Sequence, residues 1–408
     1  MSIRSLVLVS VLVVLVVFAL GGCGQPKENV PTPTPSGMTP GPAKTGAAAP
    51  AGEPIKVGCI FSVGGPGGPL GQPEQFAAQM VEKQVNDAGG ISGRPLKLII
   101  EDDNTEEAKA VLAAKKLIEQ DKVCAIVGPT MSGTTLAIVV ACEKAQIPLF
   151  SCAASVKITQ PVKKWVFSSA QTDVLAIQRI LPYLKGHKLT KIAIIYDSNA
   201  FGSSGAEQLK KLLPGAGAQI VDEEKFATKD TDMTAQLTKI KAKNPQAVIC
   251  WGTNPGPAVV AKNMQSLGLK ATLIMSHGVA NKTFIDQAGA AAEGVILPCG
   301  KLLVAGELPA SDPQKTVLEK FKADYEAANP GKPVNTFAGH AYDALEMLMA
   351  VLKTAGEDKA KIRDGLEAVK GFVGIGGTFD MSATNHNGLT PEAFTLVVIK
   401  GGTWTQTK

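Results

Sequence analysis

Three hydroxyl residues close two apolar runs: Ser132 and Thr134 in VGPTMSGTT (127–135), and Ser155 in LFSCAASVK (149–157). Both runs end in small residues, with no general base, metal ligand or strong charge beside them. Such loops can donate hydrogen bonds and do little else. Ser132 and Thr134 fall where a helix should begin. A helix N-terminus offers free N–H groups and the positive end of its dipole, so it holds anions. Hydroxyls together with N–H groups suit a small carboxylate. Taken alone, Ser132 and Thr134 read as ordinary helix caps. Two such loops on adjacent strands favour a ligand role.

Catalytic signatures do not accompany them. The chain carries no HExxH, Walker A lysine motif, GxSxG elbow or GxGxxG. Its four histidines, His187, His277, His340 and His386, are too scattered for a recognisable metal cluster, and no cofactor is implied. SVGGPGGPLG (62–71) has the glycines of a phosphate loop but lacks GK[ST], and reads instead as a pliable cleft wall.

The elements that must position these loops alternate. IKVGCIF (55–61) is a buried strand, Gln72 to Asn86 a helix, and LKLIIEDD (96–103) a strand. A helix from Glu106 to Gln120 and strand VCAIVG (123–128) follow. A helix from Thr134 to Lys144 leads to strands IPLFS (147–151) and WVFSS (165–169). Apolar strands separated by helices mean a parallel sheet covered on both faces. The cycle restarts at Asp173, with strands KIAIIYD (191–197), AQIVDEEKF (218–226), AVICWG (247–252), ATLIMS (271–276) and GVILP (294–298). Helices from Asp312, Phe337 and Asp358 come next, and FTLVVIKGGTW reads as a hairpin rejoining a sheet. The fold class is α/β, with two doubly wound parallel-sheet lobes. Ligands bind beyond the carboxyl ends of such strands. Six loops there, three per lobe, are rich in Gly, Ser, Thr and Asn. Opposed, they make a cleft lined with neutral donors.

The 408 residues suggest two or three domains. Apolar residues make up 45% and charged residues 19%, and the net charge is only +5, so nucleic acid is excluded as a natural partner. Arg4 and the apolar run from Leu6 to Leu20 form a signal peptide, residues 1–22, ending at Gly21-Gly22-Cys23. Residues 24–53 hold seven prolines and almost no large apolar side chain, an extended tether. The other six cysteines lie in strand-like runs or without CxxC pairing, and read as buried free thiols.

Leu20-Gly21-Gly22-Cys23 resembles the bacterial lipoprotein cleavage box. That resemblance implies lipidation of Cys23, a lipidated tether over 23–53 and an extracytoplasmic protein anchored to the membrane; plain secretory cleavage is the alternative. From about Ile55 to Trp404 the chain resembles the solute-binding proteins of branched-chain amino-acid type ABC importers, of the type I periplasmic-binding-protein fold. The matching pieces are IKVGCIFSVGGPGGPLG, NDAGGISGRPLKLIIEDD, AIVGPTMSGTT, PLFSCAAS, IAIIYDSNAFG, GVAN and GGTFDMSATNHNG. The resemblance implies a three-crossover hinge near residues 171, 298 and 372. Lobe one is then 54–171 plus 299–371, and lobe two 172–298 plus 372–408. It implies that Ser132 and the loop from Ala153 to Ser155 hold a ligand carboxylate, that Phe201 closes the pocket and that Thr253 lines it. His277 stands where the family has an acidic residue for the α-amino group, and Leu70 where it has a tyrosine. A neutral histidine beside Phe201, Leu70 and Trp251 tolerates an uncharged or aromatic group better than an ammonium; the bland alternative for His277 is a solvent-facing turn. The implied function is capture of a small organic carboxylate, either an amino acid or an aromatic or aliphatic acid, for delivery to ABC permease subunits. A sensing receptor of the same fold is an alternative. A serine hydrolase is a weaker one, since no serine loop shows a base and orienting acid. The chain therefore reads as a binding protein, not an enzyme.

Overall fold

The computed structural model describes residues 49–407. The expected signal peptide, Cys23 and most of the tether lie outside the described residues. Two sheets organise the chain. The first is built from β1 (Ile55–Phe61), α1 (Gly68–Asp87), β2 (Leu96–Asp102), α2 (Glu107–Lys116), β3 (Ile126–Val127), α3 (Ser132–Ala145), β4 (Leu149–Ser151) and β5 (Val166–Ser168). Its strands are all parallel, in the order β2-β1-β3-β4-β5. The second begins with α4 (Asp173–Gly186) and continues through β6 (Lys191–Asp197), α5 (Ala200–Leu212), β7 (Gln219–Phe226), α6 (Thr234–Ala242), β8 (Ala247–Trp251), α7 (Gly256–Ser266), β9 (Thr272–Met275), α8 (Lys282–Ala288) and β10 (Ile296–Gly300). The chain then returns to the first lobe with α9 (Lys315–Ala328), α10 (Thr336–Ala355) and α11 (Lys359–Glu367). A small ladder of β11 (Phe372–Val373) and β12 (Thr378–Phe379) precedes the final hairpin, β13 (Phe394–Lys400) and β14 (Thr403–Thr407). That hairpin joins β10 antiparallel and completes the order β14-β13-β10-β9-β8-β6-β7.

Each sheet is apolar on both faces because helices cover both. Val57, Cys59, Phe61 and Phe167 face α1, α10 and α11, while Ile60, Ile126, Leu149 and Val166 face α2 and α3. In the second lobe, Cys250, Met275 and Val397 pack on one side and Ile192, Ile194 and Trp251 on the other. Cys59, Cys124, Cys142, Cys152, Cys250 and Cys299 are all buried free thiols.

Two boundaries differ from the sequence reading. The first helix starts at Gly68, inside the glycine-rich stretch, because Pro69 falls in its first turn where a missing N–H costs nothing. The last crossing falls later than 372. Phe379, Met381, Leu389 and Ala393 are buried in the first lobe's core, and Asn387 Nδ2 donates to the carbonyls of Ser168 and Ala170. Residues 372–389 thus hold to the first lobe by apolar burial and hydrogen bonds, and the chain joins the second sheet only at β13.

The turn after β3 depends on Gly128. Its φ is +91°, and a Cβ there would stand 2.0 Å from the Ile60 carbonyl oxygen. Replacing Gly128 with Ala combines left-handed strain with a collision against the backbone of β1. We expect Gly128→Ala to lose about 3 kcal/mol or more of stability, read as the midpoint of chemical denaturation. A wild-type midpoint would show that the turn can relax without cost.

A cleft between the two sheets

The cleft lies where the carboxyl ends of both sets of strands meet. The loop after β3 brings Thr130, Met131 and Ser132; the loop after β4 brings Cys152 to Ala154. From the second lobe, Phe201 comes from the first turn of α5, Thr253 from the loop after β8, and His277 and Gly278 from the loop after β9. Leu70 closes one wall from α1. Phe337 and His340 close another from the first turns of α10. Together they line a cavity of about 30 Å³. No carboxylate, ammonium or guanidinium lines it among the described residues.

Ser132 is the first helical residue of α3, not its cap. The cap position is Met131, and no side chain caps the first turn, so its N–H groups and dipole face the cleft wall. The Ser155 N–H donates to Ser132 Oγ at 3.2 Å, which leaves the Ser132 hydroxyl proton for a ligand. Thr134 Oγ1 donates instead to the Met131 carbonyl at 3.1 Å. Thr134 lies in the outer mouth of the cleft with Gly65, Thr105 and Lys229.

Ser155, expected at the ligand, is turned to another task. It is not among the residues enclosing the cavity. Its Oγ donates to Ser204 Oγ across the lobes at 2.8 Å, and Ser204 donates to Asp173 Oδ2. The next residue, Val156, donates its N–H to Asp173 Oδ1 at 3.2 Å, and Lys157 pairs with Glu207 at 2.6 Å. Three consecutive residues of the first lobe therefore bond to the second. Asp173 is fully buried, and burial raises its carboxyl pKa to about 6 against the pull of Ser204 and the backbone donors. The Lys157–Glu207 pair is half-exposed and contributes little.

His277 is buried rather than solvent-facing. Its ring meets Phe201 edge-on at 5.3 Å and Phe394 at 5.2 Å, with Trp251 at 6.0 Å. Burial, with His340 nearby, lowers its pKa to about 3, although the Gln171 carbonyl favours the charged form. Burial likewise lowers His340 to about 4, against the Cys152 carbonyl. Both imidazoles are neutral at pH 7. Two buried carboxylates stand behind the wall, not on it. Glu74 accepts from Thr130 Oγ1, which itself accepts the Ser62 N–H at 2.9 Å. Asp103 accepts from Ser62 Oγ at 2.6 Å. Burial pushes the pKa of both upward, Glu74 against the Thr130 hydroxyl and Asp103 against Ser62 and the Thr105 N–H.

The geometry thus gathers Leu70, Ser132, Ala153, Phe201, Thr253 and His277, and sets Thr134 and Ser155 to one side. It adds Thr130, Met131, Cys152, Phe337 and His340, which the sequence reading missed. The signal for His340 was a polar residue on the apolar face of a helix whose neighbours Ala338, Ala341 and Ala344 are fully buried. It receives no solvent there and so requires a partner.

Residues 54–403 match the family model described as periplasmic binding protein. The chain belongs to the periplasmic binding protein family. A Leu/Ile/Val-binding protein, BraC3, of Rhizobium johnstonii is 28% identical over 352 residues, covering 85% of this chain and 92% of the relative. Among solved structures, an extracellular ligand-binding receptor from Rhodopseudomonas palustris superposes with a TM-score of 0.82 at 27% identity, covering 87% of this chain and 100% of the other. The branched-chain amino-acid binding protein LivJ of Streptococcus pneumoniae, in complex with isoleucine, gives 0.76 at 26% identity over 86% of this chain and 98% of that one. These likenesses bear out the two-lobed type I architecture and a periplasmic binding protein of the branched-chain amino-acid transporter type. The relatives are binding proteins rather than enzymes.

Proposed function

We propose that this periplasmic binding protein is a lipid-anchored receptor that captures a small organic carboxylate without an α-ammonium, aromatic or branched aliphatic, and delivers it to the permease of an ABC importer. The observation that carries the ligand class is the lining of the cleft. One wall offers the Ser132 hydroxyl and the open first turn of α3, while the facing wall offers Phe201, Thr253 and a neutral His277. An amino acid brings an ammonium as well, and a buried cation without a counter-charge is costly. The lipid anchor rests on the Leu20-Gly21-Gly22-Cys23 box, and delivery rests on family membership. A second reading, capture of leucine, isoleucine or valine, is favoured by the names of the relatives.

Removing the Ser132 hydroxyl deletes a hydrogen bond to a charged group, worth about 1.5–3 kcal/mol. Ser132→Ala should therefore weaken acid binding by about ten- to a hundredfold in calorimetric titration. Ser155→Ala should act through closure alone. Unchanged affinity in Ser132→Ala would place the carboxylate elsewhere.

A further inference from the structure

His277 and His340 reach the same cavity from different lobes, one from the loop after β9 and the other from α10. They are 5% and 3% exposed. Each leaves ring nitrogens without a partner: both on His277, and Nδ1 on His340. Buried polar atoms are rarely left so, and a ligand that fills the cavity must answer them.

The state of His340 follows from its neighbour. Gln171 Nε2 donates to the Gly376 carbonyl at 2.9 Å, which turns its Oε1 towards His340 Nε2 at 3.0 Å. An amide oxygen only accepts, so Nε2 carries the imidazole proton. In the neutral ring Nδ1 is then a bare lone pair, and it needs a donor. The Cys152 carbonyl lies near but cannot supply one. His277 is neutral too, so one of its nitrogens donates and the other accepts; the Gln171 carbonyl lies near without a hydrogen bond to it and competes with a ligand for that donor. An ammonium could donate to both rings, but it would sit in a cavity with no lining carboxylate. A carbonyl could accept from His277 but would leave His340 unanswered. A hydroxyl satisfies both, donating to His340 Nδ1 and accepting from His277.

We propose that His277 and His340 are specificity-determining residues that select a hydroxyl-bearing carboxylic acid, its carboxylate towards Ser132 and its hydroxyl between the two imidazoles. This rests on the reading of the cleft as a carboxylate site. It makes the ligand a hydroxy acid, and the aromatic wall of Phe201 and Phe337 suits a flat or branched body between the two polar ends.

Calorimetric titration of matched pairs tests it: benzoate against para-hydroxybenzoate, phenylacetate against para-hydroxyphenylacetate, and isocaproate against α-hydroxyisocaproate, with leucine alongside. A site built to bond a hydroxyl rejects the analogue lacking it, so in at least one pair the hydroxy acid should bind at least about tenfold more tightly. His340→Phe should abolish that preference by weakening the hydroxy acid alone, and His277→Asn, which keeps a donor and an acceptor, should retain part of it. Equal or tighter binding of the plain acid in every pair, or no binding by any hydroxy acid, overturns the inference, and this wild-type comparison stands even if His340→Phe misfolds. An unchanged preference in folded His340→Phe also overturns it. Leucine binding more tightly than every acid would instead overturn the reading of the cleft as a site for acids without an α-ammonium.

Discussion

Replacing His277 with glutamate will cost the protein most of its affinity for a simple carboxylic acid and bring in some affinity for leucine. The new carboxylate would sit in the wall facing the Ser132 side of the cleft, where the structure places a neutral ring. Two like charges ~6 Å apart at an effective dielectric of ~20 repel by about 3 kcal/mol, roughly a hundredfold in affinity. The same carboxylate supplies the counter-charge that an α-ammonium lacks in the wild type. Titrating His277→Glu with isocaproate and leucine reads both effects. A variant that keeps its acid affinity and gains none for leucine would mean that His277 does not face the ligand's far end.

Breaking the contacts of residues 155–157 will open the protein without touching the ligand. Asp173 accepts from Ser204 and from Val156 N–H, and Ser204 accepts from Ser155. Removing the carboxylate strands buried donors from both lobes, and each bond to a charged acceptor is worth about 1.5–3 kcal/mol. Binding and closure are linked, so a penalty on the closed state lowers apparent affinity. Asp173→Ala should weaken acid binding by about ten- to a hundredfold. Its radius of gyration under saturating ligand should exceed that of the wild type. Asp173→Asn, which can still accept one bond, should fall between. Wild-type affinity and radius in Asp173→Ala would show that these contacts do not hold the lobes together. The latch also ties recognition to motion: Ser155 gives its N–H to Ser132, at the carboxylate side, and its hydroxyl to the second lobe.

The α/β pattern was legible because buried parallel strands and covering helices have different periods, and the cleft residues at strand ends followed from topology. The loops that carry Phe201, Thr253 and His277 followed from their place after β6, β8 and β9, while the choice of those three residues came from the family resemblance. Local rules failed where composition hid an element. Gly68 and Pro69 look like loop but open α1, and the apolar run 123–128 pairs as a strand over only Ile126 and Val127. They failed again where a role depends on a distant partner. Ser155 has the composition of a ligand loop, yet its hydroxyl is taken by a residue 49 positions away. His340 bonds Gln171 from 169 positions away. The family resemblance returned this helix to the first lobe, but nothing in NTFAGHAYD announces a histidine at the cleft.

On the proposed reading, this cleft prefers an acid without an α-ammonium. Side-by-side calorimetric titration of wild-type protein with isocaproate, α-hydroxyisocaproate and leucine tests it most directly, since the three share a body and differ at one substituent. Measurable binding of at least one of the two acids is expected, with at least about tenfold weaker binding of leucine. Tight binding of leucine with none of either acid would contradict it.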